Sequence, residues 1–211
     1  MHPLFHRLAL VALLPLPLAT GCSTLLTVAY LVQPADMPAE YNGLKGSKLA
    51  VVCRPIIELE FTDAGSARDL ATLVGSQIDQ QVRRATTVGQ HEVSRWIDEN
   101  DWTDYQSVGG ALGVDHVVGI DLEEFRLHEG STLYRGRAAV NVRVYDIKDK
   151  KVVFQKRIDD FAFPTNNAIP ATDMSEAEFR STFLRVLSER ISRLFHAYES
   201  REVFAEESLT F

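Results

Sequence analysis

The histidines, serines and cysteines of this sequence do not form a known catalytic or metal-binding pattern. His91-Glu92 begins like the helix of a zinc protease, but Arg95 stands where the second histidine is required. The remaining histidines outside the N-terminal segment, at positions 116, 128 and 196, have no metal-ligand spacing. No serine lies in a Gly-x-Ser-x-Gly elbow. The sequence therefore predicts no catalytic residue, no metal and no cofactor.

The glycine-rich and acidic segments are also better explained by structure than by a ligand. Residues 109–113, Gly-Gly-Ala-Leu-Gly, resemble part of a phosphate loop, but they end a helical pattern and precede a strand. A dinucleotide loop has the opposite order, so a helix C-cap and turn are predicted. The acidic residues 98–104 lack the alternating ligands and central glycine of a calcium loop. The pairs Glu123-Glu124 and Asp159-Asp160 would point to opposite faces of a strand.

Cys22 is the residue whose chemistry the sequence predicts most directly. It follows a segment with the positive charge of Arg7, a short apolar stretch over residues 8–18 and three small residues, which is the order of a secretory signal. Residues 18–22, Leu-Ala-Thr-Gly-Cys, resemble the bacterial lipobox. That resemblance implies cleavage before Cys22, with residues 1–21 as signal peptide, and acylation of the thiol. Ser23 in the next position resembles the sorting signal for the outer membrane.

An uncleaved helical anchor is the alternative at the N-terminus. Residues 8–32 are largely apolar, but two prolines and a glycine interrupt them, which favours cleavage. Residues 24–32 are apolar in place of the usual polar tether, and they either lie in the membrane interface or pack on the domain. Both alternatives put the folded domain beyond the cytoplasmic face of the inner membrane.

The composition is that of a folded domain with an acidic balance. The 211 residues are 45% hydrophobic and 24% charged. Lys and Arg number 22 against 29 Asp and Glu, a net charge of -7, which argues against a nucleic-acid binder. Cys22 and Cys53 cannot build a disulfide framework. Cys53 lies in the apolar run 49–53, so we expect a buried structural thiol, with Arg54 on the opposite face of the strand.

Hydrophobic periodicity predicts an α/β (α+β) fold with a single mixed sheet and helices on one of its faces. A C-terminal three-stranded antiparallel meander is followed by a long helix. The predicted order is strand, helix, strand, two helices, three strands and helix. The predicted strands are residues 48–53, 86–88, 114–127, 133–147 and 152–163, and the predicted helices are residues 66–84, 90–100, 103–113 and 175–198. Capping boxes at Ser66 and Ser175 open two of the helices, and a bulge is expected in residues 114–127. The expected domains are a lipidated cysteine and tether over 22–47, the α/β domain over 48–198 and a flexible acidic tail over 199–211.

Two segments of the predicted domain resemble a known group of envelope proteins. Residues 112–119, Leu-Gly-Val-Asp-His-Val-Val-Gly, and the hairpin over 144–154 look like the corresponding segments of the curli secretion-channel lipoprotein and the penicillin-binding-protein activator lipoprotein. The resemblance implies their anticodon-binding-like α/β fold over about residues 48–198. These segments characterise the fold, and no functional residue is carried over from them.

The expected function is that of a non-enzymatic binding or accessory module in the cell envelope. The partners are the membrane, through the lipid, and an envelope protein, with no nucleic acid. A homo-oligomeric subunit of a secretion or export assembly is the alternative, and a hydrolase of envelope polymers is disfavoured because no site is visible. The expected location is the periplasmic face of the outer membrane. The interface candidates are Trp102 and Asn166 in loops, with Arg137, Asn141 and Arg143 on the polar face of a strand.

Overall fold

The computed structural model describes residues 36–55 and 57–199, with side chains over 37–55 and 65–199. It confirms a mixed α/β fold. The strands are β1 Asp36–Met37, β2 Lys48–Pro55, β3 Thr86–Thr87, β4 His116–Glu129, β5 Leu133–Asp146, β6 Lys151–Phe163, β7 Ile169–Pro170 and β8 Tyr198–Glu199. The helices are α1 Ile57–Gln81, α2 Gln90–Glu99, α3 Tyr105–Leu112 and α4 Glu176–Ser192. The lipobox residues and the acidic tail after Glu199 lie outside the described residues.

The main sheet has the order β3-β2-β4-β5-β6, with β7 paired to β5. β2 runs parallel to both β3 and β4, and β4, β5 and β6 form the predicted antiparallel meander. The two meander turns contain Gly130 and Lys150 with positive φ, at 72° and 53°. A register shift between Leu122 and Glu124 confirms the predicted bulge in β4.

Helices cover both faces of the sheet, so the prediction of a single covered face is wrong. α1 and α4 pack on one face, against Leu49, Val51 and the apolar residues of β4 and β5. α2 and α3 pack on the other, against Ala50, Val52 and Val117. The reason lies in β2, where four consecutive buried apolar residues supply both faces, as is typical of a parallel strand. Polar, partly exposed side chains of β5 and β6 continue this second face beyond α2 and α3.

The larger core depends on the apolar stripe of α4. Phe179, Phe183, Leu187 and Ile191 are fully buried at helical spacing. The ring of Phe183 lies so close to Gly136 of β5 that any side chain there would overlap it. The presence of a glycine within this strand is therefore explained by the close approach of a helix.

Two predicted helix ends differ from the structure. Ser66 does not open α1, which begins at Ile57, and Ser66 is buried inside the helix. A serine–acid spacing also occurs within helices, so that motif alone does not locate the first turn. α4 ends at Ser192 instead of near Tyr198, because the chain turns there and Tyr198 pairs with Met37 in β1–β8.

Residues before Lys48 also contribute to the packed domain, although the sequence analysis assigned them to the tether. Leu44 is fully buried in the larger core, and the ring of Tyr41 stacks on Phe154 at 5.2 Å. The prolines and glycines of this segment predict turns, which is why the segment was expected to be a tether. Turns can also lie against a core, as they do here.

Cys53 is half-buried and packs at the edge of the larger core, whereas Arg54 points to the opposite face. Burial raises the pKa of the Cys53 thiol, and the nearby Asp121 carboxylate raises it further. The thiol is therefore protonated at neutral pH, which fits the predicted structural role. Within the described residues, none of the helices combines the length and apolarity needed to cross a bilayer.

The capping box of α4 generates a pH-dependent prediction. The Ser175 N–H donates a hydrogen bond to the Glu178 carboxylate at 2.9 Å. Hydrogen bonds from Ser175 lower the pKa of Glu178 below its ordinary value of 4.5. Because the folded pKa is depressed, the stabilisation is present above pH 4.5 and is lost as the pH falls through the folded value. We expect Glu178→Gln to lower the melting temperature at pH 7. The difference in melting temperature between the variant and the wild type should become smaller in acid.

Glu92→Gln is the matched control, because Glu92 lies in the first turn of α2, where no side-chain cap is present. Glu92→Gln should change the melting temperature less than Glu178→Gln does, both at pH 7 and in acid. An unchanged melting temperature for Glu178→Gln at neutral pH would contradict the capping contribution.

Candidate functional site

Six side chains converge on the second face of the sheet, at the border between its covered and open parts. This group, the Asp121 cluster, consists of Arg54, Trp102, Tyr105, Asp121, Arg143 and Tyr145. Arg54 and Asp121 are direct register partners on β2 and β4, so neighbouring strands place them side by side. The cluster joins three strands to α3 and the loop before it.

Asp121 is the centre of the cluster and bonds to three different elements. Its Oδ1 accepts hydrogen bonds from the Tyr105 hydroxyl at 2.7 Å and from Arg54 at 3.1 Å. Its Oδ2 accepts a hydrogen bond from Arg143. Only 13% of the side chain is exposed, so the carboxylate depends on these partners in place of water.

A glycine makes the contact between Tyr105 and Asp121 possible. Tyr105 is the first residue of α3, whose N-cap Asp104 accepts a bond from the Ser107 N–H at 2.8 Å. The tyrosine ring lies flat against Gly119, two residues before Asp121 on the same face of β4, where a Cβ atom would come within 2.9 Å of it. The missing side chain lets the ring lie against the strand and brings its hydroxyl to the carboxylate.

Both arginines lie over aromatic rings. The Arg54 guanidinium is 5.6 Å from the Trp102 centroid and 5.3 Å from that of Tyr105. The Arg143 guanidinium is 5.9 Å from Tyr105 and 5.7 Å from Tyr145. These are cation–π distances, and they hold each guanidinium in place while part of it faces solvent. The exposed fractions of the two arginine side chains are 41% and 26%.

The electrostatics of the cluster suit binding better than proton transfer. Burial raises the pKa of Tyr105, and Asp121 raises it further by charge and hydrogen bond. Burial lowers the pKa of Arg143, but the hydrogen bond and charge of Asp121 outweigh it and the net shift is upward. Burial also raises the pKa of Tyr145. The tyrosines stay neutral and the arginines stay charged, so the cluster presents two cations and aromatic surface around one carboxylate.

A polar strip continues from the cluster across β5 and β6. Asn141 is the register partner of Asp121, and its side-chain oxygen accepts a bond from Gln155 at 3.2 Å. Arg157 pairs with Glu123 at 2.7 Å and also with Asp159. Cations and anions alternate along the strip, which therefore has no strong net charge.

The structure brings together some of the predicted interface residues and separates others. Trp102 and Arg143 both belong to the Asp121 cluster, and Asn141 lies next to it. Arg137 lies on the same face of β5 but pairs with Asp160 at 3.1 Å. Asn166 is exposed in the loop after β6, where the neighbouring Thr165 carbonyl accepts a bond from Arg135. Arg135 is eight residues from Arg143, about 26 Å along the strand, so Asn166 belongs to another surface.

Sequence reasoning missed four members of the cluster: Arg54, Tyr105, Asp121 and Tyr145. The available signal was a lone acid, Asp121, inside the otherwise apolar run 117–122. A charged residue in a buried strand needs partners, and such a position is worth treating as a candidate site.

An open groove next to Asn166 is a second candidate surface. Its volume is about 860 Å³, and the loop 164–174 and the first two turns of α4 line it with mainly apolar residues such as Ile169, Pro170 and Met174. A smaller groove of about 620 Å³ between α1 and α4 shares Ala177 and Ser181 with it. In the described part of the chain, no group of three or more His, Cys, Asp or Glu residues could hold a metal.

Comparisons with known proteins give similarity in structure alone. No family model and no curated protein matches the chain. The PelC dodecamer of Paraburkholderia phytofirmans is 12% identical, with 75% of this chain and 93% of that one covered and a TM-score of 0.45. Lipoprotein GNA1162 of Neisseria meningitidis is 10% identical over 69% and 98%, with a TM-score of 0.44. The LpoB C-terminal domain of Escherichia coli is 12% identical over 56% and 84%, with a TM-score of 0.34.

All three TM-scores are below 0.5, and all three identities are far below 25%. No function is carried over from these structures to this chain.

The Asp121 cluster generates a stability prediction. Asp121→Asn removes the counter-charge of two arginines and should lower the free energy of unfolding by about 2 kcal/mol. This loss is smaller than the roughly 3–5 kcal/mol expected when one partner of a fully buried ion pair is removed, because both arginines reach solvent. Urea denaturation measures the change. Asp160→Asn is the control, because this partner of Arg137 is 75% exposed and its loss should cost less than about 0.5 kcal/mol. Equal losses in the two variants would show that Asp121 has no special role.

Proposed function

We propose that this chain is a membrane-anchored envelope lipoprotein whose folded domain binds another envelope component without catalysing a reaction. The observation that carries the proposal is the lipobox-like Leu-Ala-Thr-Gly-Cys of residues 18–22 directly after a secretory-type segment. Ser23 supports the periplasmic face of the outer membrane as the location. These residues lie outside the described part of the chain, so the support for the anchor comes from the sequence.

Acylation at Cys22 would hold the domain at a bilayer surface. Each buried methylene contributes about 0.8 kcal/mol, so one acyl chain binds marginally and two or more bind stably. Residues 23–35 then connect the lipid to the first described strand. Confinement near one surface raises the effective concentration of the domain towards partners at the same membrane, and a modest binding face then suffices.

The Asp121 cluster and the polar strip beside it support binding as the role of the domain. Trp102 is half-buried, and Arg54 and Arg143 are held in place while still reaching solvent. Tryptophan and arginine are enriched among residues that dominate binding energy, and preorganised side chains lose less entropy on association. None of the groups with a shifted pKa in the cluster changes its charge near neutral pH, which favours recognition over acid–base chemistry.

The anchor is tested by metabolic labelling of cells with a radioactive or alkyne-tagged palmitate. The wild-type chain should incorporate label, and Cys22→Ser should not. Cys53→Ser is the matched control, since this second cysteine is half-buried with a protonated thiol and should leave labelling unchanged. Label retained by Cys22→Ser would refute acylation at this residue.

A homo-oligomeric subunit of an export assembly is the second candidate, because β6 is a 13-residue strand at one edge of the sheet. No strand pairs with its outer side within residues 36–55 and 57–199. The edge nevertheless carries Lys151, Arg157 and Asp159 and two register shifts, features that oppose strand addition. Binding of a different component is therefore the primary proposal.

Photo-cross-linking distinguishes the two proposals. A benzoylphenylalanine in place of Gln155, on the open strip, should give one discrete adduct in the cell envelope. The control replaces Gln80, an equally exposed glutamine on α1 at the opposite face of the sheet, and should give no such adduct. An adduct of twice the mass of the chain would support the oligomeric alternative. Identical adduct patterns from both positions would contradict a specific binding face.

A further inference from the structure

The lysines of this protein are strongly clustered. The sequence contains six lysines, at positions 45, 48, 148, 150, 151 and 156, and none elsewhere in its 211 residues. Five of them lie in segments 45–48 and 148–151, which are a hundred residues apart in sequence, but the fold places these segments at the same end of the sheet. This is the end where β2 and β4 begin and β5 finishes.

Backbone hydrogen bonds connect the three loops at this end. The Asp115 N–H donates to the Lys48 carbonyl at 2.8 Å, and the Ile147 N–H donates to the Asp115 carbonyl at 3.0 Å. The Gly46 N–H donates to the Arg83 carbonyl at 3.2 Å, which adds the loop after α1. The resulting surface, called here the basic end, contains Lys45, Lys48, Arg83, Arg84, Lys148, Lys150 and Lys151, all of them exposed.

The basic end is positive although the whole chain is acidic. Four acids lie near its seven basic residues: Asp79, Asp115, Asp146 and Asp149. Seven positive and four negative charges give the basic end a net charge of +3, whereas the whole chain has a net charge of -7. Three of the acids accept backbone hydrogen bonds: Asp79 from Thr87, Asp115 from Lys48 and Asp146 from Asp149. The fourth, Asp149, pairs with Lys151. Among the described residues, Lys45, Arg83, Arg84, Lys148 and Lys150 form no ion pair.

The segment before β2 packs on the domain next to this end. The Tyr41 N–H donates to the Leu194 carbonyl at 2.9 Å, and the Tyr41 ring stacks on Phe154, three residues after Lys151. The exposed apolar side chain of Val152 directly follows Lys151. The segment around Tyr41 therefore lies beside the basic end, on a surface that combines positive charge with an exposed apolar group.

We infer that the basic end is the membrane-facing surface of the domain and binds the phosphate groups of anionic phospholipids in the bilayer that holds the anchor. This inference rests on the proposed lipid anchor and adds an orientation to it. Lysine is a compact, hydrated and mobile charge, suited to a fluid layer of phosphates without fixed geometry. Each basic residue near an anionic bilayer contributes about a fivefold gain in affinity, and the attraction extends over about one Debye length.

Vesicle co-sedimentation tests the surface without the lipid anchor. The protein is the chain from residue 22 to 211 with Cys22→Ser, mixed with phosphatidylcholine vesicles that contain or lack phosphatidylglycerol. We expect a preference for the phosphatidylglycerol vesicles that declines as salt is added. Apolar residues 24–32 are present in every sample and act alike on both vesicle types, so the preference reports the charged surface.

A triple variant and a matched control assign the preference to the basic end. Lys45→Gln, Arg83→Gln and Lys148→Gln together should weaken binding to phosphatidylglycerol vesicles on the order of 100-fold at low salt. The control, Arg68→Gln, Arg126→Gln and Arg180→Gln, removes the same charge from α1, β4 and α4, outside the basic end, and should keep most of the preference. Equal losses in the two variants would show that only net charge matters and would overturn the inference.

Two further outcomes would also overturn it. One is the absence of any preference for phosphatidylglycerol in the unsubstituted protein. The other is binding to soluble polyphosphate without binding to the vesicles, which would identify a free polyanion as the ligand. None of these results affects palmitate labelling at Cys22, because the vesicle experiment uses a chain without acyl groups, so failure of the surface and failure of the anchor are distinguishable.

Discussion

Burial of β2 and β4 on both faces is the constraint from which the rest of the structure follows. Leu49 and Val51 face one layer of helices, and Ala50 and Val52 face the other. Two helices must therefore cover each face over these strands, while the meander strands β5 and β6 extend past α2 and α3. The open half of the second face, where polar residues can meet a partner, exists because the meander is wider than the short helices that cover that side.

Much of the fold could be predicted because its signals are local. Alternating apolar residues locate β5 and β6, the Ser175–Glu178 capping box locates the start of α4, and Gly113 adopts the left-handed conformation of a helix C-cap. The end of α4 and the packing of Leu44 could not be predicted in this way. Each depends on contacts between segments distant in sequence, such as the pairing of Met37 with Tyr198.

The candidate site was predictable only in part for the same reason. Period-two alternation puts Asn141 and Arg143 on one face, and the structure agrees. Trp102 joins these residues only because Tyr105 lies against Gly119. Nothing in the local sequence relates a glycine in β4 to a tyrosine at the start of α3. Asp121 could have been noticed as a charge in an apolar strand, but its partners come from three elements and only their packing identifies them.

The distribution of charge matters more for this molecule than its sum. A net charge of -7 would argue against a polyanion as partner if the charge were spread evenly over the surface. Five of the six lysines, however, lie at one end of the sheet. Screening limits the reach of surface charges to about 10 Å at moderate salt, so a ligand at the basic end experiences those lysines far more than the acids on the rest of the chain. The acidic remainder of the chain would then be repelled by an anionic bilayer, and attraction of the basic end together with this repulsion would orient the domain. Such an orientation would leave the Asp121 cluster, on a side of the sheet, accessible to a partner.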